Sequence, residues 1–131
     1  MALGKIKADT LEHSTAGSLD TSYVVNGSAK AWINFDGTTT NIRGSFNVSS
    51  QTDVSSGRDQ ITFTNAMSDA GYSIGYIVGS TAANSTTAAT NRLAVLLTTT
   101  VYDLNTVFAS GGTTGLGNYE QMLSNVVGDL A

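Results

Sequence analysis

Lys30-Ala31-Trp32-Ile33-Asn34-Phe35-Asp36-Gly37, then Ile42-Arg43-Gly44-Ser45-Phe46-Asn47-Val48, then Asp59-Gln60-Ile61-Thr62-Phe63-Thr64, is the part of this chain that decides its fold. Aromatic and β-branched residues recur at every second position, and a period of two is the signature of a strand with one buried face. In the first run Ala31, Ile33 and Phe35 share one face, and Lys30, the only tryptophan Trp32, and Asn34 share the other. Asp36-Gly37 supplies the turn that closes it. The second run reads as one strand with Ile42, Gly44, Phe46 and Val48 on a common face, and the third sets Ile61 and Phe63 against Gln60, Thr62 and Thr64.

Downstream, Tyr72, Ile74, Tyr76 and Val78 alternate with Ser73, Gly75 and Ile77, and residues 92–97 form a nearly continuous apolar run expected as a buried strand. Strands at this spacing, parted by turn residues, predict an all-β fold, an antiparallel β-sandwich over residues 29–131. Residues 80–90 and 110–117 are small, polar or glycine-rich and are expected as mobile surface loops. Near the C-terminus, Leu116, Tyr119, Leu123, Val126 and Leu130 recur at helical spacing, while residues 123–129 fit a strand equally well. Periodicity leaves both open.

Residues 1–28 differ from the rest and are expected as an N-terminal extended arm. Ile6, Ala8 and Thr10 alternate with Lys5, Lys7 and Asp9, and Tyr23-Val24-Val25 leads into Asn26-Gly27, the favoured pair for a two-residue hairpin turn. The arm holds too few large apolar residues for a core of its own. Ile6, Leu11, Tyr23, Val24 and Val25 are therefore candidate assembly contacts.

Composition narrows the function. Only 12% of the 131 residues are charged, against roughly 25% in average soluble proteins. A lightly charged surface gives up repulsion between copies and hints at assembly. The net charge is −4 and the six basic residues are scattered, which argues against nucleic acid, since phosphate tracking needs clustered Lys and Arg. There is no cysteine, so disulfides and thiolate metal sites are excluded. No run approaches the roughly 20 apolar residues of a membrane span, and the N-terminus lacks a signal-peptide core. A chain made in a cytosol, without membrane insertion, is expected.

Reactive motifs are weak. Gly71-Tyr72-Ser73-Ile74-Gly75 matches the nucleophile-elbow pattern, but its flanks read as strand interior, and the sole histidine, His13, precedes the serine instead of following it. His13 with Asp9 and Glu12 offers too few donors for a transition metal, and no carboxylate set follows a calcium-loop pattern. The glycines at 111, 112, 115 and 117 lack the Gly-Lys-Ser/Thr ending of a phosphate loop. No enzyme, catalytic residue, metal or cofactor is expected. Among the aromatics, Trp32, Tyr72, Tyr76 and Tyr102 could stack on sugars or fill a core, and Trp32 and Tyr102 are the candidate surface-binding pair.

The run from Tyr23-Val24-Val25-Asn26-Gly27 through Trp32-Ile33-Asn34-Phe35, continued by Ile42-Arg43-Gly44-Ser45-Phe46-Asn47-Val48 and by Ala66-Met67-Ser68-Asp69-Ala70-Gly71-Tyr72, resembles a segment of tail-fibre and other virion proteins of tailed bacteriophages, notably marine ones. The opening Lys5-Ile6-Lys7-Ala8-Asp9-Thr10-Leu11 is similar to a segment such proteins use for attachment or trimer formation, and Val127-Gly128-Asp129 resembles their terminus, where a strand precedes Gly-Asp. The resemblance weakens over residues 77–119, and Ser68 stands where many members have proline. It implies a C-terminal strand and a virion component, a short tail fibre or fibre-like appendage made in the host cytoplasm and assembled as a homotrimer. Other virion proteins of tail or head and a host-surface glycan are its expected partners. A capsid decoration (cement) protein and a carbohydrate-binding module are the alternatives.

Overall fold

The computed structural model describes residues 7–79, 88–92, 97–110 and 113–131. In chain order these form β1 (Thr10–His13), β2 (Gly17–Asp20), α1 (Thr21–Gly27), β3 (Ala29–Asp36), β4 (Asn41–Phe46), β5 (Val48–Ser55), β6 (Arg58–Phe63), β7 (Ser73–Gly79), β8 (Ala88–Arg92), β9 (Val101–Ser110), β10 (Thr113–Leu116) and β11 (Gln121–Val127). Two antiparallel sheets pack against each other, as the alternation predicts. One has the order β4-β3-β11-β7, and the other pairs β5 with β6, β6 with β9, and β9 with both β8 and β10. Asn105 pairs with Arg58 of β6 and with Arg92 of β8, so those strands lie on opposite edges of β9. Val107 pairs with Leu116 of β10 and with Thr90 of β8, which places β10 beyond β6 along the same edge.

The core lies between the sheets, where the inward residues of each strand meet. Ala31, Ile33 and Phe35 of β3 and Met122 and Val126 of β11 face Ile61 and Phe63 of β6 and Tyr102 and Leu104 of β9, with Met67 and Tyr72 closing one end. Burying each large apolar side chain contributes about 1.5–3 kcal/mol. Phe63, Tyr72 and Tyr102 form an aromatic triangle with ring centroids 5.2–6.5 Å apart. Its hydroxyls are satisfied as well. Tyr72 donates to the carbonyls of Thr98 (2.9 Å) and Val101 (3.2 Å), and the Tyr102 and Ser124 hydroxyls meet at 2.8 Å across the two sheets.

Three local expectations are corrected first. The run 42–48 is not one strand, because Asn47 adopts φ 54° and carries the chain from β4 in one sheet to β5 in the other. Ile42 and Phe46 are therefore exposed, while Val48 packs on the core. Residues 23–27 belong to a helix and not to a hairpin turn, since Asp20 caps it, its Oδ1 accepting from Ser22 N at 2.7 Å. That bond lowers the Asp20 pKa. The arm is likewise not simply extended, because β1 and β2 form a hairpin with Leu11 opposite Leu19.

Parts of both expected loops are strand. Residues 88–92 and 113–116 pair with β9, because a ten-residue strand offers backbone donors and acceptors that need partners whatever the side chains beside them. Residues 80–87, 93–96, 111 and 112, which complete the expected loops and the apolar run 92–97, lie outside the described residues. At the C-terminus the strand alternative is the one found. Met122, Ser124 and Val126 are buried while Gln121, Leu123 and Asn125 are exposed, a period of two.

Candidate functional site

The outer face of the β4-β3-β11-β7 sheet carries the most distinctive surface chemistry. Register sets two rows of side chains across it. Phe46, Trp32, Asn125 and Gly75 form one row, and Gly44, Asn34, Leu123 and Ile77 form the next. Trp32 is 43% exposed, Phe46 54%, Ile77 68% and Leu123 39%, so four large apolar side chains of these rows face solvent on one sheet surface. Single exposed apolar residues are ordinary, but a contiguous group marks an interaction site.

The group is not flat. A Cβ at Gly44 would lie 3.4 Å from Cη2 and Cζ3 of Trp32, so the benzo ring rests over that glycine. A Cβ at Gly75 would collide with the Asn125 side-chain amide, which therefore lies across β7. Each glycine leaves space for a neighbour's side chain, so Trp32 leans towards β4 and Asn125 towards β7. Between them opens a groove of about 440 Å³, walled by Trp32, Asn34, Ile77, Leu123 and Asn125 and floored by the strands at Ile33, Tyr76 and Ser124. None of its lining residues is charged. Asn34 Oδ1 is buried there without a hydrogen-bond partner.

Tyr102, paired with Trp32 in the sequence as a surface aromatic, is corrected: it has 0% exposure and its hydroxyl is committed to Ser124. Burial pushes its phenol pKa up. Tyr72 is buried too, its pKa raised to about 12, first by burial. Sequence alone put Asn34 on the face of Trp32, as found, but missed Phe46, Ile77, Leu123 and Asn125 as its companions. Only the strand order and register bring them together, and neither is written in any one segment.

A second polar group lies inside the core. Asp59 has no solvent exposure and sits opposite Asp53 on β5. Its Oδ1 accepts from Gln51 Nε2 at 2.5 Å, and Oδ2 has no partner. Burial pushes its pKa up to about 6, the Gln51 hydrogen bond pulls against this, and the Asp53 charge adds to it. On the other side of the same sheet, Arg58 donates through Nε (2.8 Å) and Nη2 (2.6 Å) to Oδ2 of the buried Asp103, which also accepts from Gln60.

Of the candidate assembly contacts, Leu11, Tyr23, Val24 and Val25 are exposed, and Ile6 lies outside the described residues. Leu11, Val24 and Val25 line a hollow of about 400 Å³ together with Lys7, Ala8, Asp9 and Thr21. Ser73 opens β7, a strand, where a nucleophile elbow would turn into a helix. Among the described residues, no group of three or more His, Cys, Asp or Glu is placed to hold a metal, and no helix is long and apolar enough to cross a membrane. Searches against family models, curated proteins and solved structures found no match.

Proposed function

We propose that this chain is a structural component of a tailed-phage virion, a short tail fibre or fibre-like appendage assembled as a homotrimer through its N-terminal arm. The sequence resemblance, most specific over residues 23–46, supports the class. One structural observation carries the assembly: helix α1 is seven residues long and buries none of them. Isolated helices below roughly 12–15 residues are marginal in water, and a lone two-stranded hairpin is no better. An arm built only of those two pieces needs a surface to dock on. Its exposed Leu11, Tyr23, Val24 and Val25 provide the apolar area for that docking, each worth about 1.5–3 kcal/mol if fully covered.

Sedimentation of the full chain at micromolar concentration is expected to give a trimer, and Val24→Asp with Val25→Asp to give a monomer with an unchanged β-type circular-dichroism spectrum. A wild-type chain that sediments only as monomer overturns the assembly. Mass-spectrometric inventory of purified phage particles tests the virion assignment, which fails if the chain is absent from them.

A further inference from the structure

We infer that the groove beside Trp32 binds a neutral hexose unit of a glycan. The supporting geometry belongs to the sandwich alone and does not depend on the arm or on trimer formation. Trp32 rests over Gly44 and presents aromatic surface to solvent, the apolar surface on which the C–H faces of a pyranose ring can pack. Asn125 lies on the far side of the groove, held across Gly75, and Asn34 lies between them in the adjacent row. A side-chain amide carries a donor and an acceptor side by side, which matches two neighbouring sugar hydroxyls. Asn34 Oδ1 lacks a donor, and a turn about its soft terminal torsion would bring it to a hydroxyl in the groove.

Charge selects among ligand classes. No charged side chain lines the groove, so a phosphate, carboxylate or ammonium would leave water without compensation. The chain's net charge of −4 further disfavours nucleotides. Its volume of about 440 Å³ lies within the usual range for small-molecule sites. Because the groove is open and a hexose has few atoms, a single unit should bind with a Kd on the order of 1 mM. Useful affinity would then come from several copies acting together.

Trp32 is the only tryptophan among five tyrosines, so emission excited selectively at the tryptophan absorption edge reports on this site alone. Titration of the full chain with glucose, galactose, mannose and N-acetylglucosamine, with sorbitol as control, should give a saturable spectral change for at least one hexose and none for sorbitol. Asn125→Ala and Asn34→Ala keep the tryptophan and should weaken that hexose about tenfold or more, the loss of about one paired amide. On an array of neutral and sialylated glycans, the wild type should retain neutral ones and Trp32→Ala should lose them. Absence of any saturable change with all four hexoses, together with an empty array, overturns the proposal. So does a change that sorbitol reproduces or that both asparagine variants leave intact. Sedimentation of the same samples keeps the outcome separate from assembly: a trimer that ignores sugar refutes the groove and leaves the proposed function standing.

Discussion

Asn47 makes a sharp change of direction with one residue. Its φ of 54° lies in the left-handed region, which asparagine tolerates better than most residues and alanine does not. The side chain then fixes the neighbouring loop: Asn47 Oδ1 accepts from Asn65 N (2.7 Å) and Asn65 Nδ2 (3.0 Å), and Asn47 Nδ2 donates to Asn65 O (3.2 Å). Asn47→Ala loses both the backbone preference and the latch, and should cost about 2–3 kcal/mol. Asn47→Gly restores the backbone freedom without the latch and should fall between. Urea denaturation ranks the three, and an alanine variant as stable as wild type would refute the account. At this scale the sequence was informative where one face of a strand is wet. Trp32 faces out because it alternates with Ile33 and Phe35. Tyr102 gave no such signal, because residues 102–106 are buried on both faces of β9 and a strand of that kind has no alternation to read.

Between elements, the bond from Tyr102 on β9 to Ser124 on β11 ties the two sheets at the middle of the core. Tyr102→Phe leaves a buried Ser124 hydroxyl without its partner and should cost about 1–3 kcal/mol. Adding Ser124→Ala removes the orphan, so the double variant should recover part of that loss. Full additivity of the two single costs in thermal unfolding would show that the hydroxyls are not coupled. The strands β3, β6 and β7 were readable from alternation alone, and β11 was readable as one of two options. The strands β8 and β10 were not. Residues 88–92 and 113–116 are Ala, Thr, Gly, Asn, Arg and Leu in no clear alternation, and their place is set by the free edges of β9. The helix was hidden by a competing local signal: Asn26-Gly27 suits a hairpin turn, but Asp20 caps the segment before the turn can form.

For the molecule as a whole, Asp59 makes stability depend on pH. Its carboxyl titrates near 6 in the fold, chiefly because of burial, against about 3.9 in an unfolded chain. The folded state thus binds more protons between those values, and stability must fall as pH rises through that window. The contribution is complete below pH ~4 and lost above pH ~6, a difference of at most about 3 kcal/mol. Exposed Asp20 and partly buried Asp36, whose pKa values are lowered by hydrogen bonds from Ser22 and Thr38, act in the opposite sense at lower pH. Urea midpoints at pH 4.5 and 7 should show the loss in wild type, and Asp59→Asn should reduce it. An equal slope in that variant would place the titration elsewhere. The sandwich was legible at this scale because alternating runs recur along the chain, whereas the groove was not, because it depends on which strands become neighbours.

Strand β11 lies between β3 and β7, although every other strand precedes it in the chain. A ribosome must therefore release the ten other described strands before the central gap of that sheet can close, and until then β3 and β7 each present an unsatisfied edge. Nascent chains of this protein should remain open to chaperones, or to one another, until residues 121–127 have emerged, so its folding is completed after most of its synthesis is over.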